Sequence, residues 1–562
     1  MRKIVLHWLF VAPVVALTCP LAGPIFPAPN SPSDSVAFEK AIANLTKSIE
    51  NKLTPANSTQ YTAIDPDQTS FTVQVYSARH SKPLFEYYHT ATSAQNNTIG
   101  VNTVDQDTVF RIGSVSKLWA VLLLLMESGD AALHEPLHKY IPELRETTDD
   151  LKDNVTVFSG IDNANWEHIT IGELASHTAG LGRSYGLGDR STDPSPMLKL
   201  GFPHLADSLI PKCGFGPMCN RAEFFENAVK RPPVVSTSSS PVYSNDAFQL
   251  LGYVIEEMAG EKIRHQVDKR LIERLELTRS SYSKPADRVG IIPGPLNATA
   301  WDMDYADMTL SGGIYSSTKD LSTLGRAILN NDLLSPALTR RWLKPVARTA
   351  DRAISVGAPF EIYHLNQPRP IDLFAKSGDI GAYSAMVGLS PEHNVGFTIL
   401  AAGDLVTTIM IPALDAVAKE EARLQFGGTY TSGSDKLTLI TDEGPGLRIT
   451  KWENKGKDML ESLASLQWER PEGELDVRLY PSGLRSHNKI SFRAIMTAPP
   501  PTGPPNGPFT NVCISWLTVD SPVYGSIAVD DFVFEIRKEG NALSVSPRVL
   551  RTTLRRDTND TD

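Results

Sequence analysis

Cysteine is scarce in this chain, with four among 562 residues, and none of them joins histidines at metal-ligand spacing, so a zinc-stapled fold and a Cys/His metal centre are excluded. Long apolar runs are missing beyond the N-terminus. Nothing later approaches the ~20 residues that a membrane helix needs, so no membrane span is expected. Positive charge is in deficit: the net charge is -10 at pH 7, which argues against a polyanion such as nucleic acid as partner. Low-complexity sequence is short in both halves, and the 41% hydrophobic content is that of an ordinary globular protein.

What is present begins with an export signal. Arg2 and Lys3 precede an apolar run from Ile4 to Leu17, and residues 1–18 read as a leader cleaved near Thr18. The expected product is therefore soluble and secreted. Six Asn-x-Ser/Thr sequons, at Asn44, Asn57, Asn96, Asn154, Asn297 and Asn559, are surface glycosylation sites if the host is eukaryotic. In an oxidising compartment Cys213 and Cys219, which flank Gly-Phe-Gly-Pro-Met, are expected to form a local disulfide. Cys19 either leaves with the leader or pairs with Cys513, and the pairing is preferred because it leaves no odd thiol.

At this length one hydrophobic core is not enough, and two domains are expected. After a Pro/Ser-rich lead, an amphipathic helix near Ser35 to Asn51 precedes strand-like runs at Phe71 to Tyr76 and Leu84 to His89. A run from Leu118 to Met126, apolar on every face, predicts a helix buried in a domain centre. The long excursion between Gly182 and Pro232 reads as a lid or rim. Leu373 to Lys376, Ala382 to Leu389 and Val395 to Ala401 read as adjacent strands, closed by a helix over Leu414 to Leu424. Strands at both ends with helices between them imply an α/β domain over residues 35–424, its one sheet assembled from both ends. Short alternating runs after Phe426, such as Leu437 to Leu439, Leu447 to Ile449, Val477 to Leu479 and Phe532 to Ile536, predict a separate antiparallel β domain over residues 425–562.

A serine hydroxyl needs a base within hydrogen-bond reach, and a helix sets residue i+3 beside residue i. Ser114-Val115-Ser116-Lys117 offers that geometry, and a lysine desolvated at the start of an apolar helix is a competent base. Ser-x-x-Lys occurs four times, starting at Ser114, Ser281, Ser316 and Ser486. Only the first stands between a glycine and a long buried helix. The Ser281 and Ser316 copies read as turn and helix-cap sequence, and Ser114 alone could be a simple N-cap. Two further elements weigh against that plain reading. Tyr243-Ser244-Asn245 is the one Tyr-x-Asn in the chain, and Lys376-Ser377-Gly378 the one Lys-Ser/Thr-Gly.

In that order the three motifs resemble the signature of the serine β-lactamase and penicillin-binding-protein superfamily, whose third motif lies on an edge strand. His177-Thr178-Ala179-Gly180-Leu181 and the Gly312 to Leu321 segment are similar to turns of its class C β-lactamase, carboxylesterase and D-aminopeptidase branch. The resemblance implies an antiparallel sheet with a helical insertion, and a C-terminal β domain like the lipocalin-like barrels of D-aminopeptidase relatives. It implies that Ser114 is acylated, Lys117 is its base and Tyr243 shuttles a proton to the leaving group. Asn245 would hold the substrate amide or Lys117. Lys376 would give positive potential at the far wall beside Ser377 and Gly378, leaning towards an anionic group. The backbone N–H groups of Ser114 and Asp379 would form the oxyanion hole. Asp379 departs from the small residue often found there, and its carboxylate would alter which acyl groups fit. His177 is assigned to structure.

The function implied is acyl-enzyme hydrolysis of a small ester or amide without metal or cofactor, with short-chain esters ahead of β-lactams. Acyl transfer in secondary-metabolite biosynthesis and a catalytically silent binding protein are the alternatives.

Overall fold

Strands from both ends of the first 400 residues meet in one sheet. In the computed structural model the described residues are 36–53, 64–95, 99–145, 160–214, 217–366, 370–403, 423, 425–442, 446–468, 475–497, 518–537 and 541–557. The leader, Cys19, Cys513, Asn57, Asn96, Asn154, Asn559 and all but Arg423 of the helix expected over Leu414 to Leu424 lie outside them. Asn44 is exposed on helix α1 (Val36–Leu53).

The sheet has eight strands: β1 (Ser70–Ser77), β2 (Phe85–His89), β3 (Ala347–Arg348), β4 (Ile354–Val356), β5 (Glu361–Asn366), β6 (Pro370–Ile380), β7 (Tyr383–Ser390) and β8 (Val395–Ala402), in the order β2-β1-β8-β7-β6-β5-β4-β3. Every pairing is antiparallel. Residues 90–346 leave the sheet and return, which makes them the helical insertion. Helix α2 (Ser116–Ser128) is buried from Ser116 to Leu125, so its all-round apolar sequence has protein on every side, and it packs on α3 (Asp246–Ala259) and the Thr309–Gly312 turn. Helix α4 (Thr318–Asn330) lies across β1 and β8.

After Phe426 the alternating runs become strands β9 (Gly428–Ser432), β10 (Asp435–Ile440), β11 (Leu447–Asn454), β12 (Asp476–Ser486), β13 (Lys489–Thr497), β14 (Asp531–Ile536), β15 (Ala542–Pro547) and β16 (Leu554–Arg556). Each pairs antiparallel with the next, and β16 returns to β9, closing an eight-stranded up-and-down barrel. Inward positions carry large aromatics; Phe426, Phe492 and Phe534 meet edge to face with centroids 4.9–5.2 Å apart.

This barrel is not set apart from the sheet domain. Arg493 of β13 donates to the carbonyls of Val234 (3.0 Å) and Pro233 (3.2 Å), and Arg231 donates to Asp520 of the β13–β14 connection at 2.6 Å. The C-terminal antiparallel β domain of the sequence reading is present as this barrel, and a buried ion pair joins it to the insertion.

Candidate active site

Ser114 stands on a single 3-10 turn, Gly113–Val115, that runs directly into α2. The Ser116 hydroxyl donates to the Gly113 carbonyl (2.7 Å) and accepts the Ile314 N–H (3.1 Å), fastening the turn to the Gly312–Ile314 segment. Two glycines let β6 press against this turn. Gly113 has φ +48°, and a Cβ there would lie 2.7 Å from the Asp379 nitrogen; a Cβ on Gly378 would lie 2.3 Å from the Ile112 carbonyl oxygen and 2.5 Å from the Ser114 nitrogen. The close approach sets the Asp379 backbone against Gly113 and the Ser114 backbone against Gly378. Gly378→Ala is therefore expected to lower stability by about 1–3 kcal/mol and any turnover at Ser114 by more than about 100-fold, because only backbone lies in the path of the new methyl. Thermal melting and turnover of the variant check this; wild-type values in both would refute the close approach.

Lys117 is fully buried one helical turn from Ser114. Its Nζ lies 3.1 Å from Ser114 Oγ and 2.7 Å from Asn245 Oδ1, and it donates to the Ser311 carbonyl. The Tyr243 and Phe248 rings cover it at 4.8 and 5.3 Å. Burial pushes its pKa well below the lysine range, the Lys376 and Arg183 charges push the same way, and Glu361 opposes them.

The Tyr243 hydroxyl donates to Ser114 Oγ. Burial raises its pKa despite the nearby Lys376 and Arg183, so the phenol keeps its proton. His177 stacks behind the Tyr243 ring at 4.3 Å, and its Nδ1 accepts the Ser244 N–H at 3.1 Å. Burial beside Lys117 holds it neutral. Asn245, read as holding either the substrate or Lys117, gives its Oδ1 to Lys117 and its Nδ2 to Ser184 Oγ (2.9 Å).

Lys376 departs from its expected setting in one way. Strand β6 pairs with β5 only as far as Ala375, so the Lys376-Ser377-Gly378 segment has β7 alone beside it, but the Lys376 ammonium is fully buried against Glu361. Burial works against that charge, yet Glu361 more than offsets it and holds its pKa above the usual value. The expected positive potential at the far wall is thus matched by a carboxylate. Asp379 is exposed, and its Oδ1 accepts the Ser384 hydroxyl.

The cleft above Ser114 encloses about 260 Å³. Ser114, Asn245, Tyr305 and Asp379 line it, along with Arg183 and Ser184 of the excursion read as a rim and Asp520, Ser521 and Val523 of the C-terminal region. Arg183, Glu361, Ser311 and Asp520 are the residues that sequence reasoning missed. Arg183 begins the excursion directly after the His177 turn and stacks on Tyr243 at 4.9 Å; its place at the mouth of a predicted rim is the one signal that pointed to it. Cys213 and Cys219 form a disulfide within the same excursion.

Among the described residues no His/Cys/Asp/Glu group could hold a metal ion and no helix is long and apolar enough to cross a membrane.

The "Beta-lactamase" family profile matches residues 60–419, and a profile described as "Beta-lactamase-like-like, C-terminal domain" matches residues 418–558. The "Beta-lactamase-like protein" of Arthroderma benhamiae is 28% identical over 588 aligned positions, covering 95% of each chain. "Probable hydrolase M10" of Phoma sp. is 27% identical across 79% of this chain and 74% of that protein. A solved class C β-lactamase, 17% identical, covers 65% of this chain and 93% of its own with a TM-score of 0.45. Since the first profile alone spans well over half of the sequence, including Ser114, Tyr243 and Lys376, the chain belongs to the β-lactamase family of hydrolases.

Proposed function

We propose that this protein is a secreted serine hydrolase that forms an acyl-enzyme on Ser114 from an ester or amide, with residues 35–424 carrying the chemistry, residues 425–562 closing one wall of the cleft and residues 1–18 directing export. The observation that carries the proposal is the setting of Lys117. A neutral amine has two N–H donors and one lone pair. Asn245 Oδ1 and the Ser311 carbonyl take the two donors, which turns the lone pair to Ser114 Oγ.

In acylation, Ser114 Oγ attacks the carbonyl carbon while its proton passes to Lys117 Nζ. The carbonyl oxygen becomes an oxyanion against the N–H groups of Ser114 and Asp379. Tyr243, protonated and in contact with Ser114 Oγ, gives its proton to the departing alcohol or amine and recovers one from the Lys117 ammonium. Water then attacks the acyl carbon, surrendering a proton to the same pair, and Ser114 leaves with its hydroxyl restored.

Incubation with a fluorophosphonate, followed by intact-mass measurement, tests the nucleophile. The wild type should gain one phosphonyl group and Ser114→Ala none. Equal labelling of both would remove Ser114 from its role.

A further inference from the structure

Three donors at the β6 wall, the Lys376 ammonium, the Ser377 hydroxyl and the Ser377 N–H, form the set that a substrate carboxylate would ask for. All three are spent inside the protein. Glu361 of the neighbouring strand β5 takes Lys376 Nζ and Ser377 Oγ (2.9 Å) on Oε1 and the Ser377 N–H (3.2 Å) on Oε2, and Lys376 Nζ also donates to the Ser377 carbonyl at 2.7 Å and lies over the Tyr243 ring at 5.4 Å. The pair is sealed, with side chains 1% and 2% exposed. Neither Lys376 nor Ser377 lines the cleft; the wall at this point is Asp379, a second carboxylate, and the Arg183 charge nearby is answered by Asp520 and Asp379.

We propose that Glu361 is a specificity-determining residue that fills this donor set with a carboxylate of the chain's own, so that the enzyme takes uncharged acyl groups and turns away anionic ones. The proposal rests on the acyl-enzyme reading above. Its physical basis is direct: an incoming carboxylate must either displace Glu361, leaving a buried charge unpaired, or stay in the cleft against Asp379 and be repelled by it. The Lys376 positive charge still serves the site from behind, by keeping Lys117 short of its proton. It does not serve as a docking point.

The test compares two esters of equal length, p-nitrophenyl hexanoate and mono-p-nitrophenyl adipate, on wild type and Glu361→Gln. The wild type should prefer the neutral ester by about tenfold or more in kcat/KM, and the glutamine variant should shrink that preference by about tenfold, chiefly through the KM of the adipate ester. A folded variant with an unchanged ratio overturns the proposal, because a merely structural Glu361 would slow both esters alike. Should Glu361→Gln not fold, inhibition of the wild type decides: phenylboronic acid should bind about tenfold more tightly than 3-carboxyphenylboronic acid, and equal or reversed affinities overturn the proposal. No turnover of either ester by the wild type would instead remove the acyl-enzyme reading, and this proposal with it.

Discussion

Replacement of Lys117 by methionine is expected to lower kcat/KM on p-nitrophenyl esters by about 10³-fold, the usual worth of a positioned general base. Methionine suits the apolar surroundings of α2, so loss of rate should not come from gross unfolding. It leaves Asn245 Oδ1 and the Ser311 carbonyl without their donor, and a drop of about 1–3 kcal/mol in stability is expected from that source. The pH profile carries the sharper signature. Burial, with Lys376 and Arg183 adding to it, holds the Lys117 pKa well below the lysine range, so the acid limb of kcat/KM should fall where that amine takes up its proton. Removing one neighbouring positive charge favours the ammonium, and Arg183→Gln should therefore move the limb to higher pH. A limb unmoved by Arg183→Gln and still present in Lys117→Met would assign the titration to another group.

A comparable effect on stability is expected where the barrel meets the insertion. Arg493 is buried with Asp530 at 2.9 Å, Asp520 at 3.6 Å and Asp531 at 4.0 Å, and it also holds two backbone carbonyls of the sheet domain. Burial works against its charge, but the three carboxylates together hold its pKa above the usual value. Arg493→Met leaves Asp530 buried without its cation, while Asp520 keeps Arg231 and Asp531 keeps Arg548, and should cost about 3 kcal/mol in urea denaturation at pH 7.5.

The loss should shrink on acidification, and the sign follows from Asp530. Burial outweighs its pairing and pushes it up to about 6, while an unfolded aspartate titrates near about 4. Between those values the folded chain holds a proton that the unfolded chain has lost, so this group's contribution to stability falls as pH rises through about 6. Without Arg493 the carboxyl pKa values rise further, and the deficit should widen from pH 5 to pH 8. Stability within about 1 kcal/mol of wild type at pH 7.5 would show that Asp530 does not depend on Arg493.

Asp520 links this network to the cleft. Its Oδ2 accepts the backbone N–H of Arg183 at 2.9 Å, so the barrel helps to hold the wall that carries Arg183 and Ser184. Weakening of the interface should therefore reach the active site as well as the melting curve.

Much of the fold was legible because its signals are local. The alternating runs at Leu437, Leu447, Val477 and Phe532 have a period of two, which is the pleat of a strand; they became β10, β11, β12 and β14. Leu118 to Leu125 are apolar on every face, which only a helix surrounded by protein tolerates. Closure of the barrel was implied by the resemblance to lipocalin-like barrels and not by the residue pattern, because β16 pairs with β9 across the whole length of the region and no turn signal records it. The barrel's intrusion into the cleft was missed for a related reason: Ser521 and Val523 belong to a connection whose composition is that of any surface loop.

Context along the chain, a glycine before and a long apolar helix after, singled out Ser114 among four Ser-x-x-Lys copies, and the reach from i to i+3, a property of the helix itself, set Lys117 beside it. Which charge is answered by which partner was settled only by folding. Glu361 lies 15 residues before Lys376, and Asp520 lies 289 residues after Arg231. A buried charge must find a counter-charge wherever the chain brings one, and in this protein that requirement, more than any motif, decides what the cleft presents to a substrate.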